Sequence, residues 1–444
     1  MRRVSAKPAA RHGRLSTPNA ALGIVKGIAL ALAVVLVSGA SVGAIATWRV
    51  LDEAQPTVDL VAPPGKTTKP IPALTAQTGT VNMLLVSTDT RTGQGAMFAD
   101  AADQKASSGV GNNDVNLLLH IAADHKSMQV VSFPRDLQIP IPDCPNDTGG
   151  LTPGSPKAPL NSAISRGGEK LGISCAASTI SKLTGLQIDY AAKITFLGTI
   201  AMSDAIGGVS VCLATDVVDD DVTPALDLKA GTRTLVGAQA MAFLRSRHGV
   251  ADASDLGRVS NQQTFMSAMM RKLVSTGTLT DPAKVYRLAT ATAENVQLSS
   301  SLSPTTLAKI GLAVKSVGLS NITFLSYPVA DDPDDSAHVI PQADAAQLLD
   351  SALLHDQPVQ LSPNSLGRAA VLAPGSKGSS SPSASSSPSA SASSSPSASA
   401  SASGSASGSA SGSASPSASA SSTATLPDTV TGQKADQITC AKKG

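Results

Sequence analysis

The chain has 444 residues, of which 42% are hydrophobic, 15% are charged and only 2% are aromatic, and its formal net charge is +2. Residues 376–425 are almost wholly Ser, Ala, Pro and Gly, a composition that cannot bury enough apolar surface to fold, so about 300 residues remain for one globular core. Positions 1–26 carry six basic residues and no acid, so the rest of the chain is negative and lacks the clustered basic face that nucleic-acid binding needs.

The first predicted element is a membrane anchor. Residues 27–48 carry no charge and are long enough to cross ~30 Å of hydrocarbon. The basic residues at 1–26 predict that this segment stays in the cytoplasm and that everything after residue 48 lies outside the cell membrane. A cleaved signal peptide is the alternative, because Ala44-Ile45-Ala46 resembles a small-residue cleavage site. Residues 49–78 contain five prolines and no periodic pattern, which predicts an extracellular stalk.

Apolar runs predict strands after the stalk, and helical periodicities predict helices between them. Strands are predicted at 81–86, 115–122, 128–133, 191–196, 209–213 and 322–327. Helices are predicted at 164–183, 197–206, 236–244, 256–274, 304–317 and 343–354. Because strands this apolar need cover on both faces, residues 79–358 are predicted to form an α/β domain, a three-layer α-β-α sandwich around a central mixed sheet.

Regular patterns fade after residue 358. Residues 359–425 are predicted to be a low-complexity, disordered tail, and residues 426–444 to be a separate C-terminal segment that contains Cys440. A glycosylated stalk is the alternative interpretation of the tail.

Four cysteines lie after the predicted anchor, in a compartment where disulfides persist. Cys144 and Cys175 are the favoured pair, whereas Cys440 is expected to pair with Cys212 or with another chain; four small buried hydrophobic residues are the alternative. The sequence has no C-x-x-C pair and no His cluster, which disfavours a zinc site. A bound ion is therefore expected to be a hard one held by carboxylates.

Charged residues stand at the ends of the first three predicted strands. They are Asp89, Arg91, Asp114, Arg135 and Asp136. Open α/β sheets bind ligands just past such strand ends, which makes this edge a candidate site. Ordinary turns are the alternative, because Asp and Thr are common in turns.

A second group of polar residues lies on one predicted helix. Asp255, Arg258 and Gln262 are spaced i, i+3 and i+7, which places them within about 60° on one side of that helix. The row is expected at the edge of the core, beside the apolar stripe. A solvated acid–arginine pair is the alternative interpretation.

Two more arginines, Arg245 and Arg247, follow a predicted apolar helix. Residues at i and i+2 point about 160° apart on a helix but to the same side of an extended chain, so both arginines can meet one ligand only where the helix has ended. The planar guanidinium fork suits phosphate oxygens, and such a pair beside Arg258 and Arg135 would suit a diphosphate. Two solvated arginines are the alternative.

The sequence resembles the LytR-CpsA-Psr family in a series of motifs that run in order between about residues 80 and 275. The motifs are NMLLVSTDTR at 82–91, NDVNL at 113–117, VSFPRD at 131–136, LNSA at 160–163, LTGLQID at 183–189, DAIGGV at 204–209, LRSR at 244–247, and DLGR at 255–258 with Gln262. A short cytoplasmic segment, one membrane helix and an external domain also fit this family. The resemblance implies that residues 79–358 are the catalytic domain.

The resemblance implies an enzyme that transfers a glycopolymer phosphate from a polyprenyl-diphosphate carrier to peptidoglycan in cell-wall assembly. It also implies a divalent cofactor, usually Mg²⁺ or another hard cation such as Mn²⁺, and a lipid-binding cavity. Because the chain has few aromatic residues, walls of Leu, Ile, Val and Met are expected for that cavity. The implied location is the cell membrane, with a single pass, a cytoplasmic N-terminus and the main domain outside.

The family motifs assign roles to individual residues. Asp89 and Asp114 correspond to the carboxylates around the metal. The diphosphate contacts correspond to Arg91, Arg135, Arg245, Arg247, Arg258 and Gln262. Asp255 corresponds to the acid of the same constellation, and all of these except Arg91 are predicted to be catalytic.

The chain departs from the family pattern at two positions where the family has a basic residue. Asn112 stands where an arginine is typical and Pro159 where a lysine is typical, and Lys157 is the candidate substitute. A non-catalytic protein that binds or tethers lipid-linked wall polymer is therefore an alternative function. A polyprenyl-diphosphate pyrophosphatase is another, because water can replace the sugar hydroxyl at the same residues.

Overall fold

The structure is a computed structural model, and it describes residues 54–62, 67, 69–75, 78–107, 109–274, 281–363, 365–376 and 423–443. The predicted cytoplasmic segment, the predicted membrane helix and most of the Ser/Ala/Pro stretch lie outside these residues. None of the helices in the described ranges is both long enough and apolar enough to span a bilayer.

The described residues form eight α-helices and three short 3₁₀ helices. The α-helices are α1 (Ala101–Ala106), α2 (Ala163–Thr184), α3 (Phe196–Ala205), α4 (Gly237–Arg245), α5 (Asp255–Val274), α6 (Pro282–Asn295), α7 (Pro304–Val317) and α8 (Ala343–Leu354). The 3₁₀ helices are Ala96–Phe98, Leu160–Ser162 and Leu319–Asn321.

The strands are numbered in chain order. They are β1 (Val81–Thr88), β2 (Asn113–Ile121), β3 (Met128–Phe133), β4 (Gln138–Ile141), β5 (Cys144–Pro145), β6 (Leu151–Thr152), β7 (Ser155–Pro159), β8 (Tyr190–Ile194), β9 (Val209–Leu213), β10 (Val217–Asp219), β11 (Leu226–Leu228), β12 (Gly231–Leu235), β13 (Val296–Leu298), β14 (Ile322–Ser326), β15 (Val329–Asp331), β16 (Val339–Pro341), β17 (Val359–Gln360), β18 (Ala370–Leu372), β19 (Ala424–Thr425), β20 (Gly432–Lys434) and β21 (Thr439–Ala441).

Seven strands form the central sheet, in the order β13-β8-β1-β2-β3-β14-β20. The pairs β1–β8 and β3–β14 are parallel, and the other neighbours are antiparallel. The predicted α/β fold with a central mixed sheet is confirmed.

Helices cover the sheet on both faces, because successive residues of a strand point to opposite sides. Leu84 and Val86 of β1 belong to a core with α2 and α8. Met83 and Leu85 face the other way and pack with residues of α5 and α7. The near-continuous apolar sequence of β1 thus serves two cores at once.

A second sheet lies beside the first, in the order β12-β9-β21-β18. The predicted strand at 209–213 has the bounds of β9, but it belongs to this sheet. Its buried residues alternate with one exposed and one half-buried residue, which is the pattern of a strand covered mainly on one face. A third core joins this sheet to α4 and α5.

The described part of the predicted stalk packs against the domain instead of standing away from it. Val58 is 5% exposed and bridges to Ser299, and Leu74 is 8% exposed. The Val61 amide donates to Ser174 Oγ on α2 over 2.7 Å. Scattered apolar residues between the prolines therefore find a place on the domain surface, although they form no periodic pattern.

The boundaries predicted for the tail also differ from the structure. Residues 359–376 form β17 and β18, and residues 423–443 form β19, β20 and β21. These strands pair with each other, with β9 and with β14, so both segments belong to the domain. Only residues 377–422, which the structure does not describe, separate them.

Two disulfides are present. Cys144–Cys175, the favoured pair, joins β5 to α2. Cys212–Cys440 joins β9 to β21 across a sequence separation of 228 residues. The second pair resolves the alternatives for Cys440 in favour of a bridge within the chain.

Candidate functional site

Three strand ends meet at one edge of the central sheet. Strands β1 and β3 end there and β2 begins there, because β2 runs antiparallel to both. Asp89 therefore follows β1, Asp114 lies at the start of β2, and Arg135 follows β3. Arg135 Nη1 is 3.0 Å from Asp114 Oδ1, so the predicted meeting of these strand ends is confirmed for this pair.

Helix α4 brings two arginines to the same edge. It ends at Arg245, and Ser246 is extended, with φ −57° and ψ 132°. Both arginines can face one ligand only where the helix has ended, and the helix does end between them. Arg247 Nη2 lies 2.9 Å from Asp255 Oδ1, and the guanidinium of Arg245 stacks over Phe196, 4.6 Å from the ring centroid.

The turn after α4 is held by Asp219, which the sequence analysis did not identify. Asp219 is 2% exposed, and its Oδ2 accepts hydrogen bonds from Ser246 Oγ at 2.6 Å, from the Arg247 amide at 3.1 Å and from the Gly249 amide at 3.2 Å. Burial opposes its ionisation, but these hydrogen bonds prevail and lower its pKa. The acidic run at 219–221 is typical of an exposed loop. Only the alternation of inward and outward residues along β10 could have indicated that Asp219, the first acid of the run, is buried.

Asp255 is shared by three guanidinium groups. Its Oδ1 lies 2.6 Å from Arg258 Nη2, 2.9 Å from Arg247 Nη2 and 3.6 Å from Arg135 Nε. Its side chain is 14% exposed. The i, i+3 pair predicted on this helix exists, but it is part of a network and not a solvated surface pair.

Arg258 is the most buried of these arginines, with a side chain that is 5% exposed. Its Nη2 also donates to the Asp114 carbonyl oxygen at 3.2 Å, and its Nη1 is 3.9 Å from Asp114 Oδ2. Arg258 thus connects α5 to the start of β2 and fixes the distance between the two acids.

Positive charge exceeds negative charge in this cluster. Five arginines (Arg91, Arg135, Arg245, Arg247 and Arg258) face four acids (Asp89, Asp114, Asp136 and Asp255), as their contacts and mutual charge effects show. The excess favours a bound anion.

The pKa shifts of three arginines reflect their burial and the charges around them. Burial lowers the pKa of Arg245, and the charge of Arg91 lowers it further. Burial and the charges of Arg258 and Arg135 lower the pKa of Arg247. For Arg135, burial acts in the same direction, but Asp114, Asp136 and Asp255 outweigh it and raise the pKa.

Asp89 is held by its own loop. Its Oδ1 accepts hydrogen bonds from Ser107 Oγ and from the Asn112 amide, each at 2.6 Å. Gly111 is needed there, because its φ is +71° and an added Cβ would come within 2.6 Å of Asp89 Oδ1. Asp89 Oδ2 is the oxygen that these contacts leave for a ligand.

Gln262, a predicted diphosphate contact, lies beside the end of α4. It is 7% exposed, and its Nε2 donates to the Leu244 carbonyl oxygen at 3.0 Å. That bond ties α5 to the last turn of α4, so the structure shows Gln262 joining two helices that carry arginines.

The candidate substitute for the missing cations does not reach this cluster. Lys157 Nζ pairs with Asp332 at 2.9 Å and with Asp334 at 3.1 Å. Pro159 precedes the 3₁₀ helix in which the Asn161 amide donates to the Arg135 carbonyl oxygen at 2.9 Å. The segment therefore supports the loop of Arg135 but supplies it with no second cation.

No group of three metal-ligating side chains forms around Asp89 and Asp114 in the described residues. The group found there that brings three such ligand atoms within 4.8 Å of one another is Asp219, Asp221 and His248. Asp219 is occupied by the turn after α4, and the side chains of Asp221 and His248 are 73% and 62% exposed. The Asp89 and Asp114 carboxylates still fit a hard cation by ligand type, because both are partly exposed oxygen ligands.

Comparisons with known proteins point to one family. A model described as the LytR_cpsA_psr family matches residues 53–352. The chain is 29% identical over 273 residues to the cell wall biosynthesis protein LcpA of Corynebacterium glutamicum, a match that covers 57% of this chain and 51% of that protein. The chain thus spans about half the length of that curated relative.

Two further similarities are to a curated protein and to a solved structure. The chain is 26% identical over 252 residues to the polyisoprenyl-teichoic acid–peptidoglycan teichoic acid transferase TagT of Bacillus subtilis, over 56% of this chain and 70% of that protein. A solved structure of a LytR-Csp2A-Psr enzyme from Actinomyces oris is similar with a TM-score of 0.46 and 19% identity, over 68% of this chain and 96% of that chain.

Proposed function

Since the chain belongs to the LytR-CpsA-Psr family, we propose that it transfers a phosphate-linked glycopolymer from a polyprenyl-diphosphate carrier to peptidoglycan. The observation that carries the proposal is the arginine-rich cluster at the edge of the central sheet, where five guanidinium groups face four carboxylates. The transferase name of TagT supports the same reaction class. The proposed location is the outer face of the cell membrane, with residues 27–48 as the anchor.

The arginines are proposed to bind and orient the diphosphate. Arg245 and Arg247 point from an extended turn toward the same cluster, and each has a lowered pKa that an anion would restore. Guanidinium groups neutralise charge on phosphate oxygens, and they do so most strongly in a site with little water. Asp255 keeps Arg247 and Arg258 in place, so it is proposed to act through them.

Asp89 and Asp114 are the proposed ligands of a divalent ion, Mg²⁺ or Mn²⁺. Hard ions prefer carboxylate oxygens. Asp89 Oδ2 is the proposed contact, because Oδ1 is used by Ser107 and Asn112. Such an ion, when bound, neutralises charge that develops on the transferred phosphoryl group.

An apolar surface for the polyprenyl chain is proposed on the sheet face opposite α2. Met83, Leu85, Val115 and Leu119 lie on the two central strands of that face, yet they are only half-buried, whereas Leu84 on the other face is fully buried. Methionines of neighbouring helices line the same core. The predicted composition of aliphatic residues and Met therefore suits this surface as a binding site for an isoprenoid chain.

The test is transfer from a synthetic polyprenyl-diphosphate glycan to peptidoglycan by the purified full-length chain, with Mg²⁺ or with a chelator. We expect Mg²⁺-dependent transfer that falls about 100-fold in Arg245→Ala and Asp114→Asn. Arg233→Ala is the matched control, because Arg233 is exposed on β12 and its guanidinium donates to the Lys229 and Ala230 carbonyl oxygens of its own hairpin, and we expect it to retain wild-type turnover.

The other outcomes distinguish the alternatives. Release of glycan phosphate without an acceptor would identify a pyrophosphatase. Lipid that binds the wild type but not Arg245→Ala, with no turnover in either, would identify a binding protein; Pro159 and the diversion of Lys157 to Asp332 favour this as the second candidate.

A further inference from the structure

Residues 431–443, which we call the C-terminal clasp, connect the two sheets. Strand β20 forms the edge of the central sheet beside β14, where the Ser326 amide donates to the Thr431 carbonyl oxygen at 2.8 Å. Strand β21 lies inside the second sheet, between β9 and β18. The clasp therefore completes two sheets, although residues 377–422 separate it in sequence from the rest of the domain.

The clasp also packs along α5, the helix that begins with Asp255. Gln433 Nε2 donates to the Gln263 carbonyl oxygen at 3.1 Å. Ser267 Oγ and Arg271 Nη1 donate to the Ala435 carbonyl oxygen at 3.2 Å and 2.8 Å. These contacts fall on the turns that follow Arg258, so they set the position of the whole helix against the central sheet.

A third contact reaches the loop that joins Arg247 to Asp255. The Ala251 amide donates to the Lys442 carbonyl oxygen at 2.9 Å. Ala251 and Ala253 have φ angles of 46° and 61°, in the left-handed region that residues with a Cβ rarely adopt. Such conformations persist only where the surroundings enforce them. The clasp supplies one of these restraints, in the loop that joins two members of the cluster, Arg247 and Asp255.

The Cys212–Cys440 disulfide attaches the clasp covalently. The two cysteines are register partners of β9 and β21. Because the bridge joins the clasp to β9, the clasp stays bound to the domain when the chain is cut between residues 377 and 422.

We propose that the C-terminal clasp is a positioning element of the phosphate site and that the Cys212–Cys440 disulfide retains it there. The clasp holds α5 and the loop before it, and through them it sets the geometry of Arg247, Asp255 and Arg258. This inference rests on the proposed function for its activity readout, because it concerns the same site.

The test introduces a protease site between residues 377 and 422 of the full-length chain. Four samples are compared: uncut, uncut and reduced, cut, and cut and reduced. We expect only the last sample to lose the clasp, because in the uncut reduced chain the linker keeps the clasp at an effective concentration of about 1 mM. The uncut reduced sample also controls for reduction of Cys144–Cys175.

Transfer is expected to fall about 100-fold in the cut and reduced sample, since a displacement of ~1 Å in a phosphate site has an effect of that size. A synthetic peptide of residues 423–444 is expected to restore it. Hydrogen exchange is the second readout, and residues 250–258 are expected to lose protection while β1 and β2 keep theirs.

Hydrogen exchange tests this inference independently of the proposed function. If no sample transfers glycan, selective loss of protection at 250–258 still supports the clasp as a positioning element. Unchanged exchange after proven loss of the clasp would overturn the inference, and so would transfer at the wild-type rate by the cut and reduced sample. Loss of protection throughout β1 and β2 would overturn it as well, because the clasp would then be a general stabiliser.

Discussion

The two ends of strands β1 and β2 both carry buried polar groups, but the groups are arranged differently. At the end opposite the arginine cluster, His120 is 1% exposed, its Nδ1 is 2.8 Å from Asn82 Oδ1, and its Nε2 is 3.2 Å from Asp356 Oδ1. Asp189 lies beside them, 3% exposed, and its amide donates to the Asn82 carbonyl oxygen.

Charge balance and exposure distinguish these two ends. At the cluster end, arginines outnumber acids, and Arg135 and Arg247 remain 25% and 31% exposed. At the other end, one imidazole meets two acids. His120 and Asp189 are sealed from solvent, whereas Asp356 is 34% exposed. Buried polar side chains that have hydrogen-bond partners stabilise a fold. A partly exposed cluster with an excess of one charge can still bind a ligand of the opposite charge.

The largest effect is expected for Arg258→Ala. It removes the most buried partner of Asp255 and Asp114, which keep other arginine partners, so the free energy of unfolding should fall by about 1.5–3 kcal/mol. Transfer should be abolished at any temperature where the variant is folded. Urea unfolding and transfer assays measure both, and Arg233→Ala is the control. A folded variant with normal transfer would contradict the assignment of this end as the site.

A smaller effect is expected for Asp219→Ala, which frees the turn between Arg245 and Arg247. Transfer should fall about 10–100-fold because both arginines lose their direction. Asp220→Ala, at the exposed neighbour, should leave transfer unchanged. Equal transfer in the two variants would show that the turn needs no such support.

The variant His120→Ala should separate stability from activity. It leaves Asn82 with an unpaired amide oxygen, so the free energy of unfolding should fall by about 2 kcal/mol. Transfer per folded molecule should not change. A loss of transfer that exceeds the loss of folded protein would mean that the two ends are coupled.

The smallest effect is expected for Asp189→Asn, and it depends on pH. Burial raises the pKa of Asp189, so its contribution to stability is present below its unfolded pKa of about 4 and is lost as pH rises through its folded pKa. The wild type and the variant should therefore have similar urea midpoints at pH 4, and the variant should be the more stable at pH 8. Asp124→Asn, at an exposed position, is the matched control for the substitution.

Much of this architecture could be predicted because its signals are local. The strand at 128–133 and the helices at 304–317 and 343–354 have the predicted bounds, since their apolar periodicity and their flanking Pro, Gly or polar residues are contiguous in sequence. The end of α4 after Arg245 was also predictable, because Gly249 follows closely.

Other features depend on contacts that no local pattern encodes. Strands β20 and β21 are three residues long, and they are held by partners more than 60 residues away in sequence. Helix α6 was missed, although Asp281 caps it. Asp219 lies in an acidic run that is typical of an exposed loop. The ion pair between Lys157 and Asp332 joins two hairpins that are distant in sequence, so no local pattern predicts it.

The position of β20 in the sequence has a consequence for biosynthesis. Strand β14 is buried along its whole length in the finished domain, yet its edge partner follows the Ser/Ala/Pro stretch. At a synthesis rate of about 5–20 residues per second, β14 waits several seconds for that partner. An apolar strand with an open edge is a template for aggregation during that interval. The nascent chain that has not yet reached residue 434 is therefore the vulnerable species, and it is the state that chaperones would need to protect.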